Sequence, residues 1–537
     1  MTESRSLIHL LRSWKSEVLR TNDLQPPTEP EEDIKVTNLV EHTGKVQQGS
    51  IFVARVRTGT DGHPYIPQAI AGGASVIVGQ KPIAELDQPI PAGILYLQVT
   101  DSAKAMAWLA AAWYGFPGKH IRVIGVTGTN GKTTTIAILH SMLKAAGIRC
   151  GLISTIQAIF GDTEEPTGLH VTTPAAPQLQ AYLRRMIDAG LTHCIIETTS
   201  HGLAQHRVTA IPYEMGLVTN VTHEHIDYHG SFHNYLLAKQ RLFELVSQHP
   251  NGAAVLNSDD DVSFSPFLAA STKEKILYGQ RLASSGQKPD AYATNVQFSS
   301  ESTRFDLHLP NQDRPTHINT VLLGQFNVSN ILCAAATAHH LGTTPAQIAD
   351  GVSQVTAISG RMERIDEGQP FLTIVDFAHT PDALENAITA ALAMRQPEGR
   401  IIAVFGSAGK RDIEKRRLMA EVSAKHADIT VLTAEDPRTE SLDDILEMMA
   451  AGCRSQGKVE GTDFWRVPDR GQAIFMAATI ARPADIVLVC GKGHEQSMCF
   501  GTTEYPWDDR HATREALRAK LENRPISSFG LPTEGDI

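Results

Sequence analysis

The sequence predicts an α/β protein of three domains, and three observations carry that reading. At 537 residues the chain exceeds what one hydrophobic core usually serves. Short apolar runs alternate with helical stretches along most of its length, the pattern of mainly parallel sheet. Near residue 121 an apolar run, a glycine loop and a helical stretch follow one another directly: Ile121 to Val126, then Gly128 to Thr134, then Thr133 to Lys144.

Bulk composition bounds the rest. Hydrophobic residues make up 42% and charged residues 20%, ordinary values for a globular chain. A formal charge of −11 gives no overall pull toward nucleic acid or anionic membrane, so neither is expected as a partner. The six cysteines include no C-x-x-C pair, and several sit in apolar runs such as HCIIE and VLVCG, which reads as buried thiols in a reducing compartment. LIHLL is too short for a signal peptide or a span, and no later run approaches the ~20 apolar residues a span needs. A cytoplasmic location is expected.

In order, residues 1–33 read as a short amphipathic helix and a Pro/Glu-rich connector, QPPTEPEED. A small α/β unit follows to about residue 100, with strands at Ile51 to Val56, SVIVG and LYLQV and a helix at Ile66 to Ala71, giving a first domain of 1–100. A helix over Ala103 to Tyr114 leads into the central domain, 101–359, whose strands are IRVIGV, RCGLIST, THCIIET, EMGLVTN and AAVLN. The third, 360–537, has strands TIVDFA, RIIAVFG, DITVLTAED and DIVLVCG and a Pro/Gly tail from about Asn523, expected to be loose.

Gly128-Thr129-Asn130-Gly131-Lys132-Thr133-Thr134 is the strongest chemical signal. A glycine loop between strand and helix turns its N–H groups inward, and the helix dipole favours negative charge, so the stretch predicts a phosphate cradle. Lys132 can reach β/γ-phosphates and the Thr133 hydroxyl can ligate Mg²⁺. Ligands collect at the carboxyl ends of parallel strands, which places Glu197 and Asn220 in the same cleft. Glu197 is a candidate Mg²⁺ ligand, and Gln205 and Arg207 offer donors to an anionic substrate.

THEHIDYHG holds His223, His225 and His229 with Asp227; the spacing fits zinc poorly, and one histidine on a second Mg²⁺ fits better. In the next helix, Phe232, Tyr235, Leu242, Phe243 and Val246 share an apolar stripe with Lys239 in its middle. A buried lysine needs a partner or a modification, unless its head reaches the surface. GQFNVSN, with Asn330, can cap a helix or read a base, and Arg361 in ISGRMERI lies between two α/β regions as a phosphate contact. In the third region, VDFAHTPDALE, GSAGKRD with Arg411, AEDPR with Glu435, Asp436 and Arg438, and GKGHE with Gly491 and Glu495 all follow strands. Both signs of charge at one sheet edge suit a zwitterion.

Taken in this order, the motifs resemble the Mur ligase family, most closely the branch that makes UDP-N-acetylmuramoyl-tripeptide, over nearly the whole chain. The resemblance implies a UDP-binding first domain, a central ATPase domain and a C-terminal dinucleotide-fold-like domain that closes over an amino acid. It implies ATP-dependent amide formation in peptidoglycan precursor synthesis: the D-Glu γ-carboxylate of UDP-MurNAc-L-Ala-D-Glu becomes an acyl phosphate, and an amine displaces the phosphate. By the same match Lys132, Glu197, His225 and Lys239 would be catalytic, Lys239 as a carbamate binding the second Mg²⁺. Thr43, Thr172, Thr173, Thr199, Ser200, Gln205 and Arg207 fall where the family holds the UDP substrate. Arg411, Glu435, Asp436, Arg438, Gly491 and Glu495 fall where it holds the amino acid. ATP and Mg²⁺ are the implied cofactors, small molecules the implied partners, and a monomer is expected.

Three departures stand out. The first domain's usual Asp-Ser-Arg reads His42-Thr43-Gly44, keeping a hydroxyl and losing both charges; the first serine of S-S-H-G is Thr199; and Asp-Asn-Pro-Arg reads Glu435-Asp436-Pro437-Arg438. Arg438 argues for diaminopimelate. Asp436 argues for the terminal ammonium of lysine or ornithine, and a basic diamino acid is the favoured expectation. The alternatives are a paralogue with changed chemistry, a folylpolyglutamate-synthetase-like ligase, which would lack the UDP domain, and a non-catalytic nucleotide-gated binder.

Overall fold

The central strands of the parallel sheets sit where an apolar run is long enough to be buried on both faces. The computed structural model describes residues 4–21, 23–57, 59–167, 172–222, 224–282, 286–299 and 301–533. Among these, no helix is long and apolar enough to cross a membrane.

The first unit is a four-stranded parallel sheet in the order β1 (Asn38–Val40), β2 (Ser50–Val53), β3 (Ala74–Gly79), β4 (Leu95–Gln98). Helix α1 (Leu7–Thr21) lays Leu7, Leu10, Leu11, Trp14 and Val18 against it. Helix α2 (Ile66–Ala71) covers the other face. The sequence reading put the helix after residue 100 in the central domain. Instead α3 (Ser102–Trp113), capped by Asp101, buries Ala105 to Ala112 in the same core as α1, β2 and β3. An alanine-rich helix is apolar nearly all round, so it must be enclosed on several sides.

The central sheet has eight strands in the order β8 (Glu164–Pro166), β7 (Gln157–Ile159), β6 (Cys150–Ile153), β9 (His193–Glu197), β5 (Arg122–Thr127), β10 (Tyr213–Val218), β11 (Ala253–Asn257), β12 (Glu274–Tyr278). All pairings from β6 to β12 are parallel. Helices α4 (Lys132–Ala145) and α7 (Gln325–His340) cover one face, and α6 (Phe232–Ser247) lies on the other. Short α5 (Ser200–Ala204) follows β9, with Thr199 as its N-cap.

A three-stranded antiparallel sheet, β13 (Tyr292–Phe298), β14 (Thr303–His308) and β15 (Thr316–Thr320), was not anticipated. Its signal was period-two alternation, with Phe305, Leu307 and Ile318 buried between exposed polar neighbours.

The third sheet runs β16 (Glu363–Arg364), β17 (Leu372–Asp376), β21 (Ile486–Cys490), β18 (Ile401–Phe405), β19 (Ile429–Leu432), β20 (Phe464–Arg466), parallel except for the β16 edge. Helices α8 (Arg470–Ile480) and α9 (Asp509–Leu521) pack on one face. Beyond Asn523 the chain docks rather than hanging loose: Ile526 and Leu531 are buried, and Thr533 Oγ1 donates to Asp469 Oδ2 at 2.9 Å.

Candidate active site

The register of three parallel strands assembles the phosphate site. Glu197 of β9 pairs with Val126 of β5, and Val218 of β10 pairs with Thr127, so the glycine loop, Glu197 and Thr219-Asn220 leave the sheet at one level. The loop is tied to its neighbour: Asn130 N donates to Asn220 Oδ1 at 2.9 Å, and Thr219 Oγ1 to Asn130 O at 2.6 Å. Gly131 begins α4 at φ 85°, and a Cβ there would lie 2.3 Å from Asn330 Oδ1. Only glycine tolerates both the left-handed backbone and that approach. Asn330 therefore sits against the loop, held by Thr135 Oγ1 and Asn327 Oδ1.

Glu197 is buried but well supplied with donors. Thr133 Oγ1 reaches its carboxylate at 3.0 Å, and Thr155 donates through N at 3.0 Å and Oγ1 at 2.9 Å. The hydroxyl and the carboxylate expected to face Mg²⁺ are thus neighbours. Among the described residues no three His, Cys, Asp or Glu side chains converge on one point. A Mg²⁺ held through one or two carboxylates plus phosphate oxygens needs no such cage.

Lys239 is the second buried ionisable group. Burying Tyr235, Leu242, Phe243 and Val246 at about 1.5–3 kcal/mol per large side chain sets the rotation of α6 and carries Lys239 inside, 1% exposed. Its Nζ donates to Gly128 O at 2.6 Å and lies 4.4 Å from the Tyr235 ring centre. Lys132 Nζ donates to the same oxygen at 3.1 Å and to Thr129 O at 2.8 Å. Burial, then the Lys132 charge, holds the Lys239 amine well below the ordinary lysine range. Burial lowers Lys132 too, with Glu197 and Glu224 opposing.

Three of the four histidine-segment residues named from sequence are described; His223 lies outside the described residues. His225 takes a left-handed backbone, φ 54°, before a short helical turn. Its ring meets that of His201 edge-on at 4.6 Å, and His229 and Tyr228 complete the cluster. Burial and the His225 and His229 charges press His201 down to about 3, so it is neutral at ordinary pH. Between His223 and His225 stands Glu224, which sequence reasoning passed over. It lies 3.7 Å from His225 Nε2 and 3.3 Å from His379 Nε2 in the third domain.

The substrate segment after β9 is braced on both sides. Thr173 Oγ1 donates to Glu197 O at 2.8 Å and lies 2.9 Å from Thr199 Oγ1; Thr155 Oγ1 is 3.1 Å from Thr172 Oγ1. Ser200 Oγ is 3.2 Å from His229 Nε2. Arg207 Nε donates to Gln205 Oε1 at 3.0 Å, and Arg55 Nη2 of the first unit reaches Gln205 O at 3.1 Å. Thr43 opens a short 3₁₀ turn. The charges missing from His42-Thr43-Gly44 are supplied nearby: Glu41 binds Arg55 at 2.9 Å and Arg57 at 2.8 Å.

In the third domain, Asp436 and Arg438 both adopt left-handed backbone, φ 42° and 54°. Such φ values at non-glycine residues cluster where side chains are being aimed. Asp436 Oδ1 accepts from Lys492 Nζ at 2.9 Å and from Cys499 N at 2.9 Å, and Lys492 also pairs with Glu495 at 2.5 Å. The Asp436 carboxylate is therefore matched inside the protein by Lys492. Glu435 is buried beside Gly491, where a Cβ would come within 2.6 Å of Oε2, and burial raises its carboxyl. Among the described residues the side chains of Arg411 and Arg438 have no ion-pair partner. Arg361 stacks on Phe377 at 4.4 Å, within the field of Asp376 and Glu197.

Fold and site define a nucleotide-dependent enzyme of P-loop type, with a separate α/β domain whose His379 reaches the loop beside His225. The comparisons place it more narrowly. Residues 126–338 match the Mur ligase middle domain, and residues 360–493 match the Mur ligase glutamate ligase domain. The chain is 38% identical over 504 residues to a UDP-N-acetylmuramyl-tripeptide synthetase of Roseiflexus sp. (strain RS-1), covering 92% of this chain and 96% of that one. It is 37% identical to the UDP-N-acetylmuramoyl-L-alanyl-D-glutamate–2,6-diaminopimelate ligase of Geobacillus kaustophilus, covering 89% and 94%. A solved structure of a ligase with that same name superposes with a TM-score of 0.62 at 28% identity, covering 92% of this chain and 98% of that one. The MurF ligase of Thermotoga maritima, solved in complex with ADP, shares the fold at a TM-score of 0.61 and 18% identity, covering 91% and 98%. This chain belongs to the Mur ligase family.

Proposed function

We propose that the protein joins a diamino acid to the D-Glu γ-carboxylate of UDP-MurNAc-L-Ala-D-Glu, using ATP, in peptidoglycan precursor synthesis. The observation that carries this reading is the pairing of a P-loop with Glu197 and the buried Lys239 at one point. A switch or a simple binder needs no second lysine there.

The inward N–H groups of Gly128 to Thr134 cradle the nucleotide phosphates, with Asn330 behind Gly131 and Arg361 at the domain junction. Lys132 swings from its loop carbonyls to the γ-phosphate and offsets charge on the transferring phosphoryl group. Thr133, Glu197, His225 and a carbamate on Lys239 are the residues that would hold Mg²⁺, which supplies charge neutralisation at the phosphate oxygens. A neutral buried amine is the form that takes up CO₂, and the resulting anion has Lys132 beside it. Thr172, Thr173, Thr199, Ser200, Gln205 and Arg207 hold the acceptor's peptide end. Thr43, with Arg55 and Arg57 steadied by Glu41, receives the UDP end.

The acceptor carboxylate takes the γ-phosphoryl group, and the amine held in the third domain attacks the acyl phosphate. Arg438 and Arg411 are placed to meet two carboxylates, and Glu435 to meet an ammonium group. That balance favours diaminopimelate over lysine or ornithine. The test is phosphate release with ATP, Mg²⁺ and UDP-MurNAc-L-Ala-D-Glu, with each amino acid added in turn. Release with diaminopimelate foremost is expected. Release dependent on none of the three would refute the ligase reading.

A further inference from the structure

Glu224 takes no part in phosphate, metal or amino-acid binding as proposed, yet its largely enclosed carboxylate meets histidines of two domains. Its side chain is 13% exposed, with His379 Nε2 at 3.3 Å and His225 Nε2 at 3.7 Å. Lys132, Lys239 and Arg361 also lie within its field.

The contact with His379 crosses between domains. Glu224 belongs to the loop after β10 in the central domain, and His379 to the loop after β17 in the third. His379 Nδ1 is 3.0 Å from Phe377 O, so both of its ring nitrogens face oxygens. The Phe377 ring then touches His379 at 4.4 Å, His494 at 4.8 Å and the Arg361 guanidinium at 4.4 Å. His494 stands between Lys492, which holds Asp436, and Glu495. A packed chain of named contacts thus runs from the His225 side of the phosphate site to the amino-acid loops. An exposed ion pair would be screened and worth little, whereas one this enclosed keeps its strength.

We propose that Glu224 is a positioning residue: its ion pair with His379 sets the third domain's amino-acid loops in register with the phosphoryl site. The proposal rests on the ligase reading for its consequence but not for its geometry. Glu224 fixes where the attacking amine arrives, and the nucleotide binds independently of it.

Two variants isolate the contact. Glu224→Asp keeps the charge beside Lys132 and shortens the reach to His379. His379→Asn keeps a donor for Phe377 O and loses Nε2. Each is expected to raise the amino-acid KM about tenfold, and the double variant no further than either single one, because both remove one interaction. The Kd for ADP, measured by calorimetry, is expected to change less than about twofold. A roughly hundredfold, additive rise in the double variant, unchanged KM in both singles, or a tenfold loss of ADP affinity would each overturn the proposal. If the wild type releases no phosphate with any amino acid, the ligase reading fails separately. Small-angle scattering of the ADP complexes then decides the contact alone: a larger radius of gyration in His379→Asn than in wild type supports it, and identical curves overturn it.

Discussion

Lys132 and Lys239 donate to one oxygen, the carbonyl of Gly128, at 3.1 and 2.6 Å. Burial disfavours the ammonium form of Lys239, and repulsion from the Lys132 ammonium on the same acceptor adds to the cost, which is why the Lys239 amine is pushed down. Conversion of that amine to a carbamate turns repulsion into attraction. Lys239→Ala is expected to abolish phosphate release, with added bicarbonate restoring nothing. A carbamate carbon signal from ¹³C-bicarbonate in wild type, absent in Lys239→Ala, checks the modification itself. Full activity in the variant would disprove the role.

Gly131→Ala places a Cβ 2.3 Å from Asn330 Oδ1 on a left-handed backbone of φ 85°. Loop strain of about 1–3 kcal/mol should weaken ADP binding by roughly tenfold or more, read by calorimetry. Gly457→Ala, with open space around it, is the control for a left-handed glycine outside the site.

Arg438 should govern the choice of amino acid. Arg438→Ala is expected to cut kcat/KM for diaminopimelate about a hundredfold while lysine changes by less than about threefold. Equal losses for both substrates would remove Arg438 from selectivity.

Arg470 and Asp509 form a fully buried pair at 2.7 Å, with Trp507 Nε1 also donating to Asp509 at 2.8 Å. Asp509→Ala leaves a guanidinium uncompensated in the core of the third domain, and about 3–5 kcal/mol of stability should go, measured by urea unfolding. A loss under about 1 kcal/mol would contradict that burial.

His193 is pushed down to about 4, first by burial and then by Arg122, whereas in the unfolded chain it titrates near 6.5. Between those values the unfolded state binds the extra proton, so stability falls as pH drops from about 6.5 to about 4. His193→Gln should make that fall shallower by about one proton in the pH dependence of unfolding. It lies at the start of β9, away from the loop ends that bear the site.

The site was legible where a side chain's role depends on its neighbours in sequence. The glycine loop, the strand-end Glu197 and the stripe around Lys239 all follow from period and adjacency. Glu41 and Glu224 were not legible, because their partners Arg55, Arg57 and His379 come from other elements or another domain. The antiparallel sheet at Tyr292–Thr320 was overlooked for a different reason: its alternation is interrupted by turns and polar residues.

By itself the sequence determined the α/β class, the main strands of the parallel sheets, and the phosphate loop with its family, because these rest on local periodicity and short motifs. Tertiary structure alone decided three things. It put Lys239 and Lys132 on one carbonyl, it placed α3 in the first core, and it paired the Asp436 carboxylate with Lys492. A charge read from sequence has a sign but no partner, and the partner determines what the charge can bind.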